Sequence, residues 1–356
     1  MAFLTLYRDR LRHNYDFLDK LFSENQVAWG VVTKMLCGNR AYIQEVLDLG
    51  PKEISDSRIS NLQVIKKLKP EVQTVYIKPP PIRSIQRLVK YADVSFNTEF
   101  STIKALSEEA QRQKKIHKVI IMIEMGDLRE GVMGDNLVNF YNRVFELPGI
   151  EVIGIGTNLN CLHGIMPSQD KLIQLSLYKQ IIDLKFNTKI PWITGGSSVT
   201  IPLLLRNQLP KGVNHFRIGE TLYFGLDLFT SEVIDGMKPD VFELCVEIIE
   251  LIEKPMLPSG ELGYNPQGEQ LEFDDTLYGK TSHRAIVDIG VLDVDPKYLV
   301  PKNDDFEIVG ASSDMLVVDL GQNESRFKVG DLLKFDLKYM GALALLNSNY
   351  IEKRIS

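Results

Sequence analysis

The segment HKVIIMIEM, residues 117–125, and the segment IEVIGIGT, residues 150–157, decide the fold of this chain. Each is a short, mostly apolar run rich in β-branched residues, which is typical of a strand buried on both faces. The residues between them, about 135–146, have the apolar spacing of a helix. A strand, a helix and a second strand in this order predict two parallel strands joined by a helix.

The same alternation continues in both directions along the chain. The predicted strands are 28–34, 53–55, 72–77, 92–96, 117–125, 150–157, 190–195 and 214–219. The predicted helices are 9–25, 39–49, 57–68, 83–91, 100–113, 135–146, 168–185 and 197–207. Eight strands that alternate with helices favour a (β/α)8 barrel over a doubly wound sheet, which also alternates but does not need eight strands.

The pattern changes near residue 238. Alternating or continuous apolar runs follow, separated by Gly, Asp, Asn and Pro, as in HRAIVDIG (283–290) and LLKFDLKY (332–339). Such runs predict strands, and no helix is evident among them. We therefore predict an α/β barrel over residues 1–235, followed by a C-terminal all-β domain over residues 236–356.

Composition and charge narrow the class of protein. The chain has 356 residues, of which 44% are hydrophobic and 25% charged, as in ordinary globular proteins. Residues 1–230 hold 29 Lys/Arg and 23 Asp/Glu, and residues 231–356 hold 12 and 24. The two parts therefore face different charges, and neither is basic enough to indicate nucleic-acid binding.

The cysteines and the apolar segments indicate the compartment. Three cysteines (Cys37, Cys161 and Cys245) make no disulfide framework and match no zinc pattern. The N-terminal segment becomes charged by residue 8, so no signal peptide is evident, and no apolar run reaches 18 residues. We expect a soluble cytoplasmic protein without a metal site and without membrane contact.

In a β/α barrel, catalytic residues lie at the C-terminal ends of the strands. Lys34 ends the first predicted strand, where it either forms a Schiff base or extends its ammonium to the rim. Arg129 follows the fifth strand between two acids, either as a site residue or in a solvated ion pair. Asn158 follows the sixth strand together with Cys161 and His163, a conceivable nucleophile pair for which no third, orienting residue is evident.

Two further loops have the composition of an anion site. The loop after strand seven reads Thr194, Gly195, Gly196, Ser197 and Ser198, and the loop after strand eight contains Arg217, Gly219 and Glu220. Barrels of this kind often bind phosphate with these two loops, although TGGSS also suits a tight turn with a helix cap. A lysine after strand one together with such a cradle points to pyridoxal 5'-phosphate.

These residues resemble the alanine racemase family of pyridoxal-phosphate enzymes, and more closely its ornithine racemase-like branch, over nearly the whole chain. The stretches that carry the resemblance are GVVTKMLCGN (30–39), GDLREG (126–131), GTNLNC (156–161), TGGSS (194–198) and FRIGETLYFG (216–225). The resemblance implies that Lys34 attaches the cofactor, that Arg129 contacts its phenolic oxygen, and that Arg217 faces its pyridine nitrogen. It also implies that Gly219 and Glu220 offer backbone amides to the phosphate.

The C-terminal part extends the resemblance. SGELGYNPQG (259–268) resembles the family segment with the second catalytic base, a tyrosine that reaches the neighbouring subunit, which implies Tyr264 and a homodimer. Tyr339 corresponds more weakly to a phosphate-contacting tyrosine. MLCGN after Lys34 departs from the aromatic-containing run of alanine racemases, and the strand-eight stretch has one extra residue. Both departures argue against alanine as the substrate.

The resemblance implies an amino-acid racemase that moves a proton between two bases on opposite faces of Cα, and the branch implies a basic substrate such as ornithine or lysine. An alanine or serine racemase, a decarboxylase, an aldolase and a cofactor-carrier protein remain as alternatives on the same barrel. Aldolases of this type usually add a metal site, whereas His283 is the only histidine of the C-terminal part. The carrier proteins lack a β domain.

Overall fold

The computed structural model describes residues 2–264, 268, 270 and 272–356, which form two compact units. The strands are, in chain order, β1 (Phe3–Leu6), β2 (Ala28–Val32), β3 (Glu53–Asp56), β4 (Gln73–Tyr76), β5 (Val94–Asn97), β6 (His117–Met122), β7 (Ile150–Gly156), β8 (Trp192–Thr194), β9 (Gly196–Ser197), β10 (His215–Ile218), β11 (Phe242–Pro255), β12 (Thr281–Val287), β13 (Leu299–Pro301), β14 (Glu307–Ala311), β15 (Leu316–Asp319), β16 (Leu332–Leu337) and β17 (Glu352–Ile355).

The α-helices lie between these strands. They are α1 (Arg8–Glu24), α2 (Arg40–Asp48), α3 (Ile59–Leu68), α4 (Ile85–Tyr91), α5 (Phe100–Arg112), α6 (Leu137–Phe145), α7 (Gln169–Phe186), α8 (Ile201–Leu205), α9 (Glu220–Phe224) and α10 (Tyr339–Asn347). Within the described residues, none of these helices is long and apolar enough to cross a membrane.

The unit Tyr7–Val241 contains a parallel barrel. Strands β2 to β8 lie side by side in chain order, and β10 pairs with β2 on one side and with β9 on the other. Strand β8 pairs with β7, and β9 begins only two residues later, beyond Gly195. One short segment is therefore bonded to β7 at its start and to β10 at its end, which nearly closes the sheet into a ring. The predicted barrel is confirmed.

Burial explains why these segments form strands and helices. All four residues of β3, β5 and β10 are buried, as expected where helices cover one face of a parallel sheet and the barrel interior covers the other. One apolar cluster in this sheet consists of Val75, Val94, Phe96, Ile120, Met122 and Ile153. Each such side chain contributes about 1.5–3 kcal/mol when it is fully buried. In α1, the buried residues recur every three or four positions, so the helix is amphipathic.

The second unit consists of β1 and the chain from Phe242 onward, and its sheet is largely antiparallel. Its central strand order is β13-β16-β11-β12-β15-β14. Strand β1 pairs antiparallel with β11 and parallel with β17. The predicted C-terminal all-β domain is therefore confirmed as a separate sheet.

Two details of this unit differ from the sequence-based expectations. The units divide at Leu6/Tyr7 and Val241/Phe242, whereas the sequence predicted 1–235 and 236–356. Residues 3–6 fall within the predicted barrel range, because their partners in β11 and β17 lie more than 200 residues away in the chain. Helix α10 was also missed, because its run of Ala and Leu lacks polar residues at helical spacing.

Candidate active site

Lys34 lies two residues after the last residue of β2, at the C-terminal end of the barrel strands, where a short 3-10 helix begins. The preceding residue, Thr33, is buried, and its hydroxyl donates to Asp56 Oδ2 at 2.8 Å. Asp56 also accepts from the backbone N–H of Arg58 at 2.8 Å, and burial raises the pKa of this carboxyl. The backbone before Lys34 is thus anchored, while its side chain is exposed and binds no other described residue.

Glu220 lies close enough to Lys34 for their charges to interact. Burial raises the pKa of the Glu220 carboxyl, and the positive charge of Lys34 partly offsets this effect. Glu220 is the first residue of α9, which follows β10. Because β10 pairs with β2, this electrostatic interaction joins two predicted site residues from opposite ends of the barrel sequence.

Arg217 is only 6% exposed, and it joins three neighbouring strands. Its Nη1 donates to Thr194 Oγ1 at 2.5 Å and to the Thr194 carbonyl at 3.0 Å, and its Nη2 donates to the Thr157 carbonyl at 3.0 Å. Burial lowers the pKa of the guanidinium to about 10. The Nε–H and one Nη2–H have no acceptor among the described residues. Two N–H donors of Arg217 are therefore left for a ligand.

The loop after β6 is fastened to the loop after β7 by one buried carboxylate, Asp127. Its two oxygens accept from the backbone amides of Cys161, Leu162, His163 and Ile165 at 2.9–3.3 Å. Burial acts to raise the pKa of Asp127, but these four amide donors lower it below its usual value. These four hydrogen bonds therefore tie the loop after β6 to the loop after β7.

Arg129 and Asn158 meet at the carboxylate of Glu130. Both oxygens of Glu130 accept from the Arg129 guanidinium, and Asn158 Nδ2 donates to Glu130 Oε1 at 3.4 Å. The hydrogen bonds that Arg129 donates to Glu130 raise the pKa of Arg129, so this side chain stays cationic. The predicted residues Arg129 and Asn158 are thus joined by an acid that sequence reasoning had not assigned.

The loops after β8 and β10 lie side by side. Ser198 Oγ accepts from the Thr221 amide at 3.2 Å, which places the start of the 3-10 helix Ser198–Thr200 beside the start of α9. Ser197 and Thr200 cap this 3-10 helix reciprocally. The first amides of a helix lack partners within the helix and favour anions. Ser197, Ser198, Gly219 and Glu220 therefore border one candidate anion site.

The two glycines of TGGSS have a packing role. A methyl group at Gly195 would lie 2.9 Å from Leu172 Cδ2, and one at Gly196 would overlap the ring of Phe216. Neighbouring side chains of the barrel therefore occupy the space beside both residues. The sequence predicts that these glycines allow a ligand to approach closely. Close packing against Leu172 and Phe216 is by itself sufficient to explain why both residues are glycine.

The two predicted tyrosines belong to the second unit. Tyr264 follows β11 in a stretch without regular structure, and it is 77% exposed. The residues directly after it, 265–267, lie outside the described residues. Tyr339 is the first residue of α10 and is half-buried. Among the residues that the structure describes, no group of His, Cys, Asp and Glu is arranged to hold a metal ion.

The family model "Alanine racemase, N-terminal domain" matches residues 6–227 of this chain. The chain belongs to the alanine racemase family. It is 37% identical to the ornithine racemase of Acetoanaerobium sticklandii over 99% of both chains. It is 31% identical to the lysine racemase of Thermotoga maritima over 90% of this chain and 89% of that protein. The predicted family and its ornithine racemase-like branch are confirmed.

Solved structures show the same fold at low identity. The alanine racemase of Bartonella henselae, with covalently bound pyridoxal phosphate, has a TM-score of 0.74 at 16% identity, and the match covers 100% of this chain and 99% of that one. The D-threonine aldolase of Filomicrobium marinum has a TM-score of 0.70 at 14% identity, covering 99% of this chain and 91% of that one. Both matches extend over the barrel and the β domain of this chain.

In this member of the alanine racemase family, sequence reasoning assigned no role to the two acids of the arginine loop GDLREG, Asp127 and Glu130. Acids that flank an arginine also occur in surface ion pairs, so the sequence alone does not indicate a role in the site. The structure does, because both acids accept hydrogen bonds from the loop after β7.

Proposed function

We propose that this chain is an amino-acid racemase that uses pyridoxal 5'-phosphate to interconvert the L and D enantiomers of a basic amino acid. The observation that carries the proposal is the pairing of β2 with β10, in which Arg217 is opposite Gly30 and Ile218 is opposite Val31. This register brings the exposed Lys34 and the buried Arg217 to adjacent strand ends. An amine that can bind an aldehyde and a guanidinium with two remaining donors thus come from neighbouring strands.

The donors present suit the chemistry of this cofactor. The aldehyde requires a lysine without a competing partner, as Lys34 is within the described residues. A ring nitrogen accepts one hydrogen bond, which the remaining Nε–H or Nη2–H of Arg217 can supply. The phosphate requires amide donors, and the starts of two short helices meet at Ser198 and Thr221.

The proposal assigns a role to several of the predicted site residues. When bound, pyridoxal phosphate withdraws electrons from the substrate Cα and so weakens its C–H bond. Lys34 would attach the cofactor, and its free amine would exchange a proton on one face of the substrate Cα. Arg129, held by Glu130, would bind the phenolic oxygen. The amides of Gly219 and Glu220, with Ser197, Ser198 and the loop around Thr194, Gly195 and Gly196, would bind the phosphate.

A protonated Arg217 opposite the ring nitrogen influences the choice of reaction. Arginine has no lone pair to accept a proton, so it donates to that nitrogen and disfavours its protonation. Electron withdrawal by the ring is then weaker than it would be beside a carboxylate. This favours simple proton exchange over transamination.

We assign the second base to Tyr264 of a neighbouring subunit, and the complete enzyme is then a homodimer. Three aromatic side chains in or next to the long stretch between β11 and β12, namely Tyr264, Phe273 and Tyr278, are exposed, as is Leu262. Exposed apolar groups clustered in one segment are typical of a surface that another chain covers. Tyr339 is proposed as an additional phosphate contact.

The proposed substrate class follows from the relatives named ornithine racemase and lysine racemase, together with the absence of an aromatic residue directly after Lys34. We also propose a cytoplasmic location. Neither Cys161 nor Cys245 forms a disulfide in the part of the chain that the structure describes, as is usual in a reducing compartment.

Incubation of the purified protein with L-ornithine and with each of the nineteen chiral standard L-amino acids in deuterated water tests this function. The expected result is deuterium at Cα and formation of the D enantiomer on chiral chromatography, fastest with ornithine or lysine. Release of carbon dioxide would assign a decarboxylase, and cleavage to glycine and an aldehyde would assign an aldolase. Neither exchange nor product would assign a carrier protein. Lys34→Ala should also abolish the visible absorbance of the bound cofactor.

A further inference from the structure

A chain of hydrogen bonds connects Arg217 to the buried carboxylate of Glu53. Arg217 Nη1 lies 2.5 Å from Thr194 Oγ1, which is 2.8 Å from His215 Nδ1. On the other side of the imidazole, His215 Nε2 lies 3.3 Å from Glu53 Oε2. All four residues are at most 6% exposed. The chain therefore runs entirely through the protein interior, from β10 through β8 to β3.

The surroundings accommodate this carboxylate and fix the imidazole. Residue 30 is glycine, and a methyl group there would overlap the Glu53 carboxylate. Gln73 Nε2 donates to Glu53 Oε2 at 2.9 Å. The ring of His215 stacks on Trp192 at 4.3 Å with an angle of 10° between the planes. Glu53 is therefore held by specific partners.

Donor and acceptor chemistry sets the direction of the chain. An ionised carboxylate only accepts and a guanidinium only donates. The His215 ring must then carry its proton on Nε2 and donate it to Glu53. When Nδ1 carries no proton, it accepts the hydroxyl proton of Thr194, whose oxygen accepts from Arg217. Every donor thus points towards Glu53. The negative charge of Glu53 also acts to raise the pKa of Arg217, which burial lowers.

We propose that Glu53 is a positioning residue that acts through His215 and Thr194 to hold Arg217 cationic and in one orientation. This inference rests on the proposed function, because it assigns the remaining N–H donors of Arg217 to the ring nitrogen of the cofactor. Without the carboxylate, the chain loses its terminal acceptor charge, and the Thr194 hydroxyl no longer orients Arg217, which keeps only its bonds to the Thr194 and Thr157 carbonyls.

Kinetics of the holoenzyme test the connection between the two ends of this chain. Glu53→Gln removes the charge at constant shape, and Thr194→Val removes the central hydroxyl. We expect each to lower kcat about tenfold, as a small displacement of an orienting group does, with KM within about twofold and the cofactor absorbance retained. The double variant should be no slower than either single variant, because both interrupt one chain. Glu71→Gln, at an exposed glutamate in the same unit, serves as the control.

Additive losses in the double variant, or a Glu53→Gln enzyme with unchanged kcat, would overturn the proposal. If Glu53→Gln fails to fold, Thr194→Val decides on its own. It should lower kcat while the cofactor absorbance is retained, and an unchanged kcat would refute the positioning role.

Nuclear magnetic resonance of ¹⁵N-histidine-labelled protein without cofactor provides an independent measurement. His215→Gln assigns the signal. We expect a neutral ring protonated on Nε2, with its proton moved upfield in Glu53→Gln because a neutral amide is a weaker acceptor than a carboxylate. A proton on Nδ1 would contradict the chain. Because no cofactor is present, this result is separate from failure of the proposed function, which would appear as absence of racemisation in the unmodified enzyme.

Discussion

Both carboxylate oxygens of Glu130 bind the guanidinium of its chain neighbour Arg129, with Nη2 2.6 Å from Oε1. Two parallel hydrogen bonds fix the plane of a guanidinium as well as its position. Asn158 from the loop after β7 approaches the same oxygen at 3.4 Å. The orientation of Arg129 therefore depends on Glu130 and on the contact between two loops.

Glu130→Ala should release Arg129 without removing it. We expect kcat/KM for racemisation to fall about tenfold, because loss of a fixed orientation acts like a small displacement of the group. Cofactor affinity, measured by titration of the visible absorbance, should weaken as well. Asp135→Asn, at an exposed acid a few residues further along, should leave both unchanged. Equal activity of Glu130→Ala and the unmodified enzyme would remove Glu130 from the site.

Asp127→Asn should loosen the contact between the loops after β6 and β7. The amide of asparagine lacks the charge that accepts from the amides of Cys161, Leu162 and His163. We expect the free energy of unfolding in denaturant to fall by about 2 kcal/mol, the scale of a lost hydrogen bond to a charged group. Limited proteolysis should become faster within residues 158–165. An unchanged cleavage pattern would show that other contacts hold this loop.

The free energy of unfolding that is lost in Asp127→Asn should also depend on pH in a defined direction. Folding lowers the pKa of Asp127 below its ordinary value of 3.8. Its contribution is therefore complete above pH 3.8 and disappears as the pH falls through the lower folded value. The difference in stability between the two proteins should accordingly persist at pH 5.

Subunit mixing tests the assignment of Tyr264 to the neighbouring site. Lys34→Ala and Tyr264→Phe homodimers should each be nearly inactive. After equal amounts are unfolded and refolded together, half of the dimers contain one subunit of each kind and hence one intact site. About a quarter of the activity should return. No recovery from a mixture shown to contain mixed dimers would place Tyr264 and Lys34 of one chain in the same site.

His117 makes stability depend on pH at a place remote from the strand ends of the site. It begins β6, its Nε2 lies 2.8 Å from Ser95 Oγ, and burial lowers its pKa from 6.5 to about 4. Between these values the unfolded chain binds a proton that the folded chain does not, so stability falls with falling pH. The loss across this range reaches about 3 kcal/mol.

His117→Gln should reduce this dependence. Thermal or denaturant unfolding between pH 7 and pH 4 should show a smaller loss of stability in the variant than in the unmodified protein. His13→Gln, at an exposed histidine, should retain the full pH dependence. Identical pH profiles for His117→Gln and the unmodified protein would contradict this origin.

The strand ends of the site could be predicted because barrels place function at a known end of each strand. The loops that contain Lys34, Arg129 and Arg217 were recognised in this way. The interpretation of TGGSS was less secure, because glycine permits both close ligand approach and close packing. The structure shows Leu172 and Phe216 beside these glycines. Packing partners of this kind come from other strands and helices, and no local pattern reveals them.

The structure shows which acids lie near the cationic residues of the basic part of the chain. The excess of Lys and Arg in residues 1–230 had indicated a barrel that holds an anion. In the structure, the two arginines assigned to the site each have an acidic counterpart, Glu130 for Arg129 and the more remote Glu53 for Arg217. Lys34 has only the electrostatic influence of Glu220 within the described residues. The excess charge therefore does not remain unpaired at the site.

The sequence by itself determined the barrel, the following β domain, the family and the residues at the strand ends, because strand and helix periodicity and short motifs are local properties. The tertiary structure alone decided which distant groups meet. Strand β1 joins β11 across more than 230 residues, and His215 meets Glu53 across 162. Such contacts arise when the barrel closes and the terminal strand enters the second sheet. Their geometry depends on the whole fold, since nothing in the local sequence around Glu53 indicates that hydrogen bonds connect it to Arg217.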